Sequence, residues 1–463
     1  MVKQMKTDSR IPRFLLSTIE SLMGQEDLGQ VLRGAGVAMV IRSTAMVLNY
    51  LILLLLARWM GAFDFGLYAF AITLVTLLAL PATLGLGIAS VKFIPSYLAR
   101  TDRTALRSLL RRSTGLVFFS SAIIAMLAAG VIRIVMPESP YTDVTLLAVM
   151  ALPLWAFVSL FSDVSRGFGW ITIAYAPAQL GVAVLTLVAA AGLMGSGRLS
   201  AINLVLGTIL AYGVVVLIQV ALLGQRLWPD LKGRSNDYRT REWIYTGVPL
   251  LLFLGSYLVI IQTDILMVGA FHGPDGVGHY AAAARTAMLV LFVQGVVSNL
   301  AEPHFARYAT EDRRRDLQLL SARLLPWTFC VSLLITLPLL GAGYWILGMF
   351  GNGFVAGYGP LCILVIAYLA QSALGLLSGL LNMTGAHRAC ATAHLVGAVG
   401  NIVLNAILIP VFGINGAALA TATTVVLVNL WLLFLVRRRL GVDPSVMQFW
   451  PAKRLSSLAR TLD

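Results

Sequence analysis

The chain has 463 residues, of which 59% are hydrophobic and 12% are charged, and its formal net charge is +14 at pH 7. This composition excludes a soluble globular protein of the same length, which would need far more polar surface. The positive charge does not indicate nucleic-acid binding, because the basic residues lie in short loops between apolar stretches, where they face lipid headgroups.

Twelve apolar stretches are each long enough to cross a bilayer, which takes about 20 residues. Their backbone has to be helical, because lipid does not satisfy exposed peptide groups and the stretches lack the alternation of barrel strands. The predicted fold is therefore an all-α polytopic membrane protein with twelve transmembrane helices. The predicted spans are 37–57, 66–91, 113–136, 144–163, 173–195, 201–223, 243–271, 278–303, 325–349, 357–381, 389–410 and 414–436.

Lys and Arg lie almost entirely on one side of these spans. All but five of the 34 Lys and Arg residues fall in the two tails and in the loops after even-numbered spans. The positive-inside rule places these segments in the cytoplasm. The sequence thus predicts a multi-pass protein of the bacterial inner membrane with both termini cytoplasmic. The five exceptions are Arg42, Arg58, Arg133, Arg198 and Arg285.

Basic residues also mark the segments outside the spans. The N-terminal tail, 1–36, is predicted to be a cytoplasmic amphipathic segment that is solvated or rests on the membrane. The stretch 98–112 places leucines among basic residues, and we expect a helix there that lies in the membrane interface. The C-terminal tail, 437–463, begins with three consecutive arginines and is predicted to be cytoplasmic.

The sequence repeats itself after 212 residues. The repeat unit contains six spans, an even number, so both copies enter the membrane in the same sense, a construction known in transporters. We expect an N-lobe over 37–223 and a C-lobe over 243–436, facing a central cavity and joined by a basic cytoplasmic linker over 224–242. The coincident residues include Gly61 with Gly273, Gly66 with Gly278, Tyr68 with Tyr280, Phe93 with Phe305, Arg103 with Arg315 and Arg111 with Arg323.

Several segments resemble one family of transporters. ARWMGAFDFGLYA at 57–69, continued by GLG at 85–87 and KFIP at 92–95, is similar to the N-terminal signature of polysaccharide flippases. These form a branch of the multidrug/oligosaccharidyl-lipid/polysaccharide exporter superfamily. The second half adds TDILMVG at 263–269, GHY at 278–280, Arg285, LNMTG at 381–385 and FGINGAA at 412–418.

This resemblance implies two six-helix bundles arranged as a V, which work by alternating access. It implies that a polyprenyl-(pyro)phosphate-linked oligosaccharide is moved from the cytoplasmic to the outer leaflet, for surface polysaccharide, exopolysaccharide or O-antigen biosynthesis. The implied partners are the lipid-linked oligosaccharide and membrane lipids, with a polysaccharide polymerase and co-polymerase as further candidates. Drug exporters share the fold, so the fold alone does not select the cargo.

Two ionisable residues stand out in the second half, because charged groups inside a membrane usually face a cavity or each other. Asp264 and Arg285 lie about ten residues before and after a predicted turn near Pro274 and Asp275. At 1.5 Å per residue they would lie at similar depth on adjacent helices, which predicts an Asp264–Arg285 ion pair. The pair is either a gating or coupling device that opens as the lobes rock, or a static contact that holds the hairpin together.

Arginines are the candidate cargo-binding residues. Arg42 lies inside the first span, and its side chain either reaches back to the headgroups or faces the cavity and meets the cargo phosphate. Arg58, at the other end of that span, either anchors the interface beside Trp59 or lines the cavity. Together with Arg285 they would make the cavity wall positive and bind a pyrophosphate through paired hydrogen bonds. This balance favours an anionic cargo over a cationic drug.

No pattern indicates catalysis, a metal or a cofactor. Cys330, Cys362 and Cys390 are isolated from one another and show no disulfide or metal spacing. No Walker sequence indicates direct ATP drive. We therefore expect a transporter and no enzyme, driven by the membrane potential, by a proton or sodium gradient, or by consumption of the product outside.

Two alternative functions stay open. A multidrug/cation antiporter of the same superfamily is expected to carry acidic residues inside the N-lobe, whereas the acids between residues 37 and 223 all lie at or outside span ends. A membrane-embedded polysaccharide polymerase or glycosyltransferase is expected to have a large outer loop or paired carboxylates at the membrane face. The longest internal loop here is instead the cytoplasmic linker.

Overall fold

The computed structural model describes residues 25–231, 239–311 and 313–445, with side chains described from residue 40 onward except at 228–231 and 299. Within these ranges the chain is helical throughout and has no strand. The remaining parts of the two predicted tails and residues 232–238 of the predicted linker lie outside the described residues.

The helices follow the predicted spans, with short breaks inside several of them. The first half contains α1 Gln25–Ala82, α2 Leu86–Ala99, α3 Arg103–Val135, α4 Thr142–Met150, α5 Leu152–Gly167, α6 Ile171–Tyr175, a π-helix Ala176–Gly181, α7 Val182–Gly195 and α8 Ala201–Leu231. The second half contains α9 Thr240–Ala287, α10 Leu289–Thr310, α11 Arg314–Gly341, α12 Gly343–Gly348, a 3₁₀ helix Asn352–Gly357, α13 Tyr358–Leu374, α14 Leu377–Met383, α15 His387–Phe412 and α16 Ile414–Leu440.

Two of these helices are too long for a single membrane crossing. By length and composition, nine helices of the described chain are apolar enough to span, and ten if α4 and α5, which meet at a bend of 44°, form one span. The 48 residues of α9 would measure about 72 Å if straight, more than twice the hydrocarbon thickness. Both α1 and α9 contain one glycine with non-helical dihedrals, Gly61 and Gly273. Counting α1 and α9 as two passes each, and α4 with α5 as one pass, gives the twelve predicted crossings.

The two breaks are equivalent positions of the internal repeat. Gly61 has φ 76° and ψ 173°, and Gly273, one repeat of 212 residues later, has φ 68° and ψ −173°. Only glycine adopts this region without a steric penalty, so each repeat carries the same turn for the same reason. We call the end of the molecule that holds these two glycines the apex end.

A reciprocal contact joins the two repeats at the apex end. A Cβ on Gly66 would overlap the carbonyl of Pro274, and a Cβ on Gly278 would overlap the carbonyl of Ala62. Gly278 and Pro274 are the repeat equivalents of Gly66 and Ala62. The contact is therefore two-fold symmetric, with the same small residue on each side allowing the backbones to approach.

The halves also meet at the opposite end, where α3, α9, α11 and the end of α16 carry arginines; we call this the basic end. The indole N–H of Trp243 donates to the hydroxyl of Tyr97 at 2.9 Å, and both side chains are buried. Arg112 donates to Thr240 at 3.0 Å. These contacts close the seam between α2–α3 and the start of α9 at the basic end.

The interfacial helix predicted over 98–112 is not present. Instead α3 runs without a break from Arg103 to Val135, and Leu106 and Leu109 are buried in the bundle. The side chain of Asp102 accepts a hydrogen bond from the amide of Ala105 at 3.0 Å and caps the helix. Leu106 and Leu109 thus face protein, at the start of a helix of 33 residues that continues through the predicted span 113–136.

Candidate functional site

An open cavity of about 360 Å³ lies in the first half of the chain, between the first pass of α1, the π-helix, α7 and α8. Arg42 is the only charged residue of its described lining, so the cavity carries net positive charge. The lining residues are Arg42, Ala45, Met46, Asn49, Ala178, Gln179, Val182, Ala183 and Tyr212.

Arg42 is held at one end of this cavity by an aromatic ring. Its guanidinium carbon lies 4.7 Å from the centre of the Tyr175 ring, and its Nη2 donates to the Tyr175 hydroxyl at 3.3 Å. Arg42 precedes Gly61 by 19 residues, which is about 28 Å of helix and places it towards the basic end. Stacking and one hydrogen bond fix the guanidinium while leaving further N–H groups free to bind an anion.

Arg58 lies elsewhere, at the apex end. Its side chain is exposed, and its Nη1 donates to the carbonyl of Met349 in the second half at 3.2 Å. Nearby, the rings of Phe65 and Phe354 pack edge to face with centroids 5.8 Å apart. Arg58 therefore bridges the two halves and does not line the described cavity.

The predicted Asp264–Arg285 ion pair is wrong for the described structure. Arg285 Nη2 donates to the amide oxygen of Gln262 at 2.9 Å. The turn lies at Gly273, slightly before the predicted position at Pro274 and Asp275. Arg285, twelve residues after the turn, is therefore level with Gln262, eleven residues before it. Asp264, nine residues before the turn, is nearer the apex. The gating or coupling role of these two residues stays a prediction.

Asp264 instead belongs to a buried cluster of neutral polar groups. Its carboxylate accepts hydrogen bonds from the hydroxyls of Tyr280 and Thr421, the latter at 3.2 Å, and from the amide of Ile265 at 2.8 Å. Asn401 Nδ2 donates to Thr421 at 3.3 Å, and Asn405 Nδ2 donates to Asn401 Oδ1 at 3.0 Å. The cluster thus links α9 with α15 and α16 inside the second half.

This cluster leaves part of its hydrogen-bonding capacity unused. Asp264 is 2% exposed, and Asn401 and Asn405 are completely buried. The Oδ1 atom of Asn405 is buried without a hydrogen-bond partner. A carboxylate in such a setting is costly to keep charged, so its charge state is sensitive to what enters the cluster.

Arg42 and Asp264 were predicted from the sequence, whereas most of their neighbours were not. The cavity residues Asn49, Gln179 and Tyr212 carried one signal, which is that they are polar side chains within apolar spans. The spacing of Asn401 and Asn405, four residues apart on one helix, was a second signal. Within the described ranges, no group of three or more His, Cys, Asp or Glu side chains is close enough to hold a metal ion.

Comparisons with known proteins agree on the class of molecule. The model of a family described as polysaccharide biosynthesis protein matches residues 31–309, more than half of the chain. A probable low-salt glycan biosynthesis flippase, Agl15 of Haloferax volcanii, is 28% identical over 217 residues, which cover 45% of this chain and 44% of the relative. The match thus spans less than half of that relative's length.

Solved structures share the fold at low sequence identity. An inward-facing multidrug resistance MATE family transporter of the MOP superfamily superposes with a TM-score of 0.72 at 13% identity, over 86% of this chain and 98% of its own. The lipid II flippase MurJ, in an inward closed conformation, gives 0.65 at 14% identity, over 87% of each chain. A MOP superfamily transporter from Pyrococcus furiosus gives 0.62 at 14% identity, over 91% of this chain and 98% of its own. These likenesses establish a two-lobe polytopic transporter fold.

Proposed function

The chain belongs to the polysaccharide biosynthesis protein family, and from this premise we propose that it flips a polyprenyl-(pyro)phosphate-linked oligosaccharide from the cytoplasmic to the outer leaflet of the bacterial inner membrane. It does so by alternating access and without enzymatic chemistry. The observation that carries the proposal is the cavity whose described lining contains Arg42 as its only charged residue.

A positive cavity suits a phosphate headgroup for physical reasons. Moving a phosphate out of water is expensive unless its charge is paired and hydrogen-bonded. A guanidinium supplies two parallel N–H donors to phosphate oxygens, and Tyr175 holds the guanidinium of Arg42 in place at the cavity end. A cationic drug would meet repulsion at the same position. Of the three arginines expected to bind cargo, we therefore assign the phosphate to Arg42.

The other predicted residues receive different roles. Arg58, which bridges the halves at the apex end, is proposed to release Met349 when the cavity opens there. Arg285, held by Gln262, is proposed to fix the hairpin of the second half. Asp264 is proposed as the coupling residue, because its buried carboxylate responds to a proton or sodium ion entering the cluster.

Cellular context completes the proposal. Both termini are proposed to lie in the cytoplasm, and the distribution of Lys and Arg supports this orientation. The lobes are proposed to extend over 37–223 and 243–436, with the linker 224–242 on the cytoplasmic side. A polysaccharide polymerase and its co-polymerase are the proposed partners that consume the flipped product.

Deletion of the gene followed by lipid analysis tests this function. The expected result is that lipid-linked repeat units accumulate on the inner leaflet while surface polysaccharide is lost. Complementation with the wild-type gene is expected to restore both, and complementation with an Arg42→Gln variant is expected to restore neither. Normal surface polymer together with new drug sensitivity would refute the proposal and point to the antiporter.

A further inference from the structure

The cavity wall opposite α1 contains an irregular helix. Between α6 and α7 the chain forms a π-helix over Ala176–Gly181, with Pro177 inside it. Such turns are rare, have hydrogen bonds that span five residues where those of an α-helix span four, and occur frequently at functional sites. Here the irregular turn brings Ala178 and Gln179 to the cavity surface.

Polar groups on this wall have hydrogen-bonding capacity to spare. Within the described part of the chain, the side chain of Gln179 and the hydroxyl of Tyr212 form no hydrogen bond. Asn49 donates from Nδ2 to the carbonyl of Ala45 at 2.7 Å, which leaves its Oδ1 available. Asn49 is exposed and Gln179 and Tyr212 are half-buried, so all three polar groups are accessible from the open cavity. Hydroxyl groups, which both donate and accept, are suited to all three.

Tyr212 also presents a fixed ring. It stacks on Trp155 with centroids 3.6 Å apart and an angle of 14° between the planes, and it is one of the residues that line the cavity. A ring held in this way offers an apolar surface beside a polar tip. A sugar has the matching combination, with apolar C–H groups on its faces and hydroxyls around its rim.

The spacing separates a charged end of the cavity from a neutral polar end. Arg42 and Asn49 are seven residues apart on α1, which is two helical turns, so they share one face and lie roughly 10 Å apart along the axis. The cavity volume of about 360 Å³ is near the lower limit of ligand pockets. It has room for a phosphate and one adjoining sugar, and the rest of an oligosaccharide would extend beyond it.

We propose that Asn49, Gln179 and Tyr212 form a subsite for the sugar directly attached to the phosphate, so that the first lobe selects the cargo by its first sugar. This inference rests on the proposed function and adds a specificity determinant to it. Arg42 binds the phosphate, which all such lipids share, and the three neutral residues bind the first sugar, which differs between them.

Binding of two probes to the purified full-length protein in detergent tests the subsite. Farnesyl pyrophosphate carries the charge without a sugar, and a farnesyl pyrophosphoryl hexose series (glucose, galactose and their N-acetylated forms) adds one sugar. We expect wild type to bind at least one sugar-bearing probe more tightly than farnesyl pyrophosphate. Gln179→Ala and Asn49→Leu are each expected to lower the affinity for that sugar-bearing probe about five- to tenfold, as loss of one or two hydrogen bonds does. Each is expected to change the affinity for farnesyl pyrophosphate less than twofold.

Two matched variants sharpen the test. Asn429 makes the same bond to the carbonyl four residues earlier as Asn49 does, at 2.8 Å to Val425, but lies on α16. Asn429→Leu is therefore expected to leave the affinity for both probe types unchanged, and Arg42→Gln is expected to lower the affinity for both. Retained binding of farnesyl pyrophosphate shows that a variant is folded.

Three outcomes would overturn parts of the account in distinguishable ways. Equal binding of every probe by wild type, or equal weakening of both probe types by Gln179→Ala, would overturn the sugar subsite and leave the flippase proposal standing. Binding of no probe by wild type would overturn the flippase proposal itself.

Discussion

The reciprocal glycine contact at the apex end offers a test of how the two halves move. Alanine at Gly66 would place a methyl group on the carbonyl of Pro274, and alanine at Gly278 would place one on the carbonyl of Ala62. Backbone atoms do not move aside as a flexible side chain does, so the halves must separate there. Overpacking of this kind typically costs about 1–3 kcal/mol.

The cost falls only on the state in which the apex end is closed. A shift of about 1–3 kcal/mol changes the ratio of apex-closed to apex-open molecules by roughly 5- to 150-fold. Each variant is therefore expected to convert a mainly closed population into a mixed or mainly open one. Because the two contacts are repeat equivalents, Gly66→Ala and Gly278→Ala are expected to have similar effects.

Spin-label distances across the apex end measure this shift. Phe63 and Met349 lie on opposite halves and are 45% and 52% exposed, so labels are tolerated there after the three native cysteines are replaced. Both alanine variants are expected to add a longer distance to the distribution. Gly130→Ala is the control, since a Cβ at Gly130 meets no atom within 4 Å. Unchanged distances in both variants would refute the claim that this contact holds the apex end closed.

Three further substitutions test the basic end, the arginine support and the coupling residue. Trp243→Phe removes the hydrogen-bond donor to Tyr97, which is expected to weaken the contact between the halves at the basic end by about 1 kcal/mol. The distance between spin labels placed on the two halves at this end is expected to increase. An unchanged distance would show that this seam does not move. Tyr175→Phe keeps the ring under Arg42 and is expected to bind farnesyl pyrophosphate with an affinity within about twofold of wild type. Tyr175→Ala is expected to lower this affinity about three- to fivefold. Equal affinities of the two variants would show that the tyrosine ring does not support Arg42. Asp264→Asn keeps the shape of the cluster but not its charge, so transport in vesicles is expected to lose its response to imposed proton or sodium gradients; a full response would exclude this residue from coupling.

The sequence predicted the fold more completely than the site, because the two depend on different kinds of information. Apolar length and the placement of arginines are local properties, so the spans and the repeat containing Gly61 and Gly273 were readable directly. The breaks inside spans were less accessible. The π-helix at Ala176–Gly181 depends on packing between several helices, which no single stretch of sequence contains.

Site residues were predicted only where charge made them conspicuous. Arg42 was identified because a charged side chain inside an apolar span is costly and therefore indicates a function. Gln179 was not identified, because the residues around it come from other helices and are brought together only by the fold. The Asp264–Arg285 prediction assumed that depth alone selects partners. Because the turn lies at a slightly different position, Arg285 donates a hydrogen bond to Gln262, while Asp264 accepts hydrogen bonds from the hydroxyls of Tyr280 and Thr421.

The claim that a single arginine in the first lobe binds the cargo phosphate is tested most directly by flipping in proteoliposomes. The measurement follows the movement of a short-chain pyrophosphoryl sugar lipid between leaflets, for wild type, Arg42→Gln and the exposed-arginine control Arg133→Gln. We predict that Arg42→Gln lowers the rate about tenfold or more, the cost of losing charge-assisted hydrogen bonds, and that Arg133→Gln retains the wild-type rate. Equal rates for Arg42→Gln and wild type, or transport of a cationic dye in place of the lipid, would contradict the account.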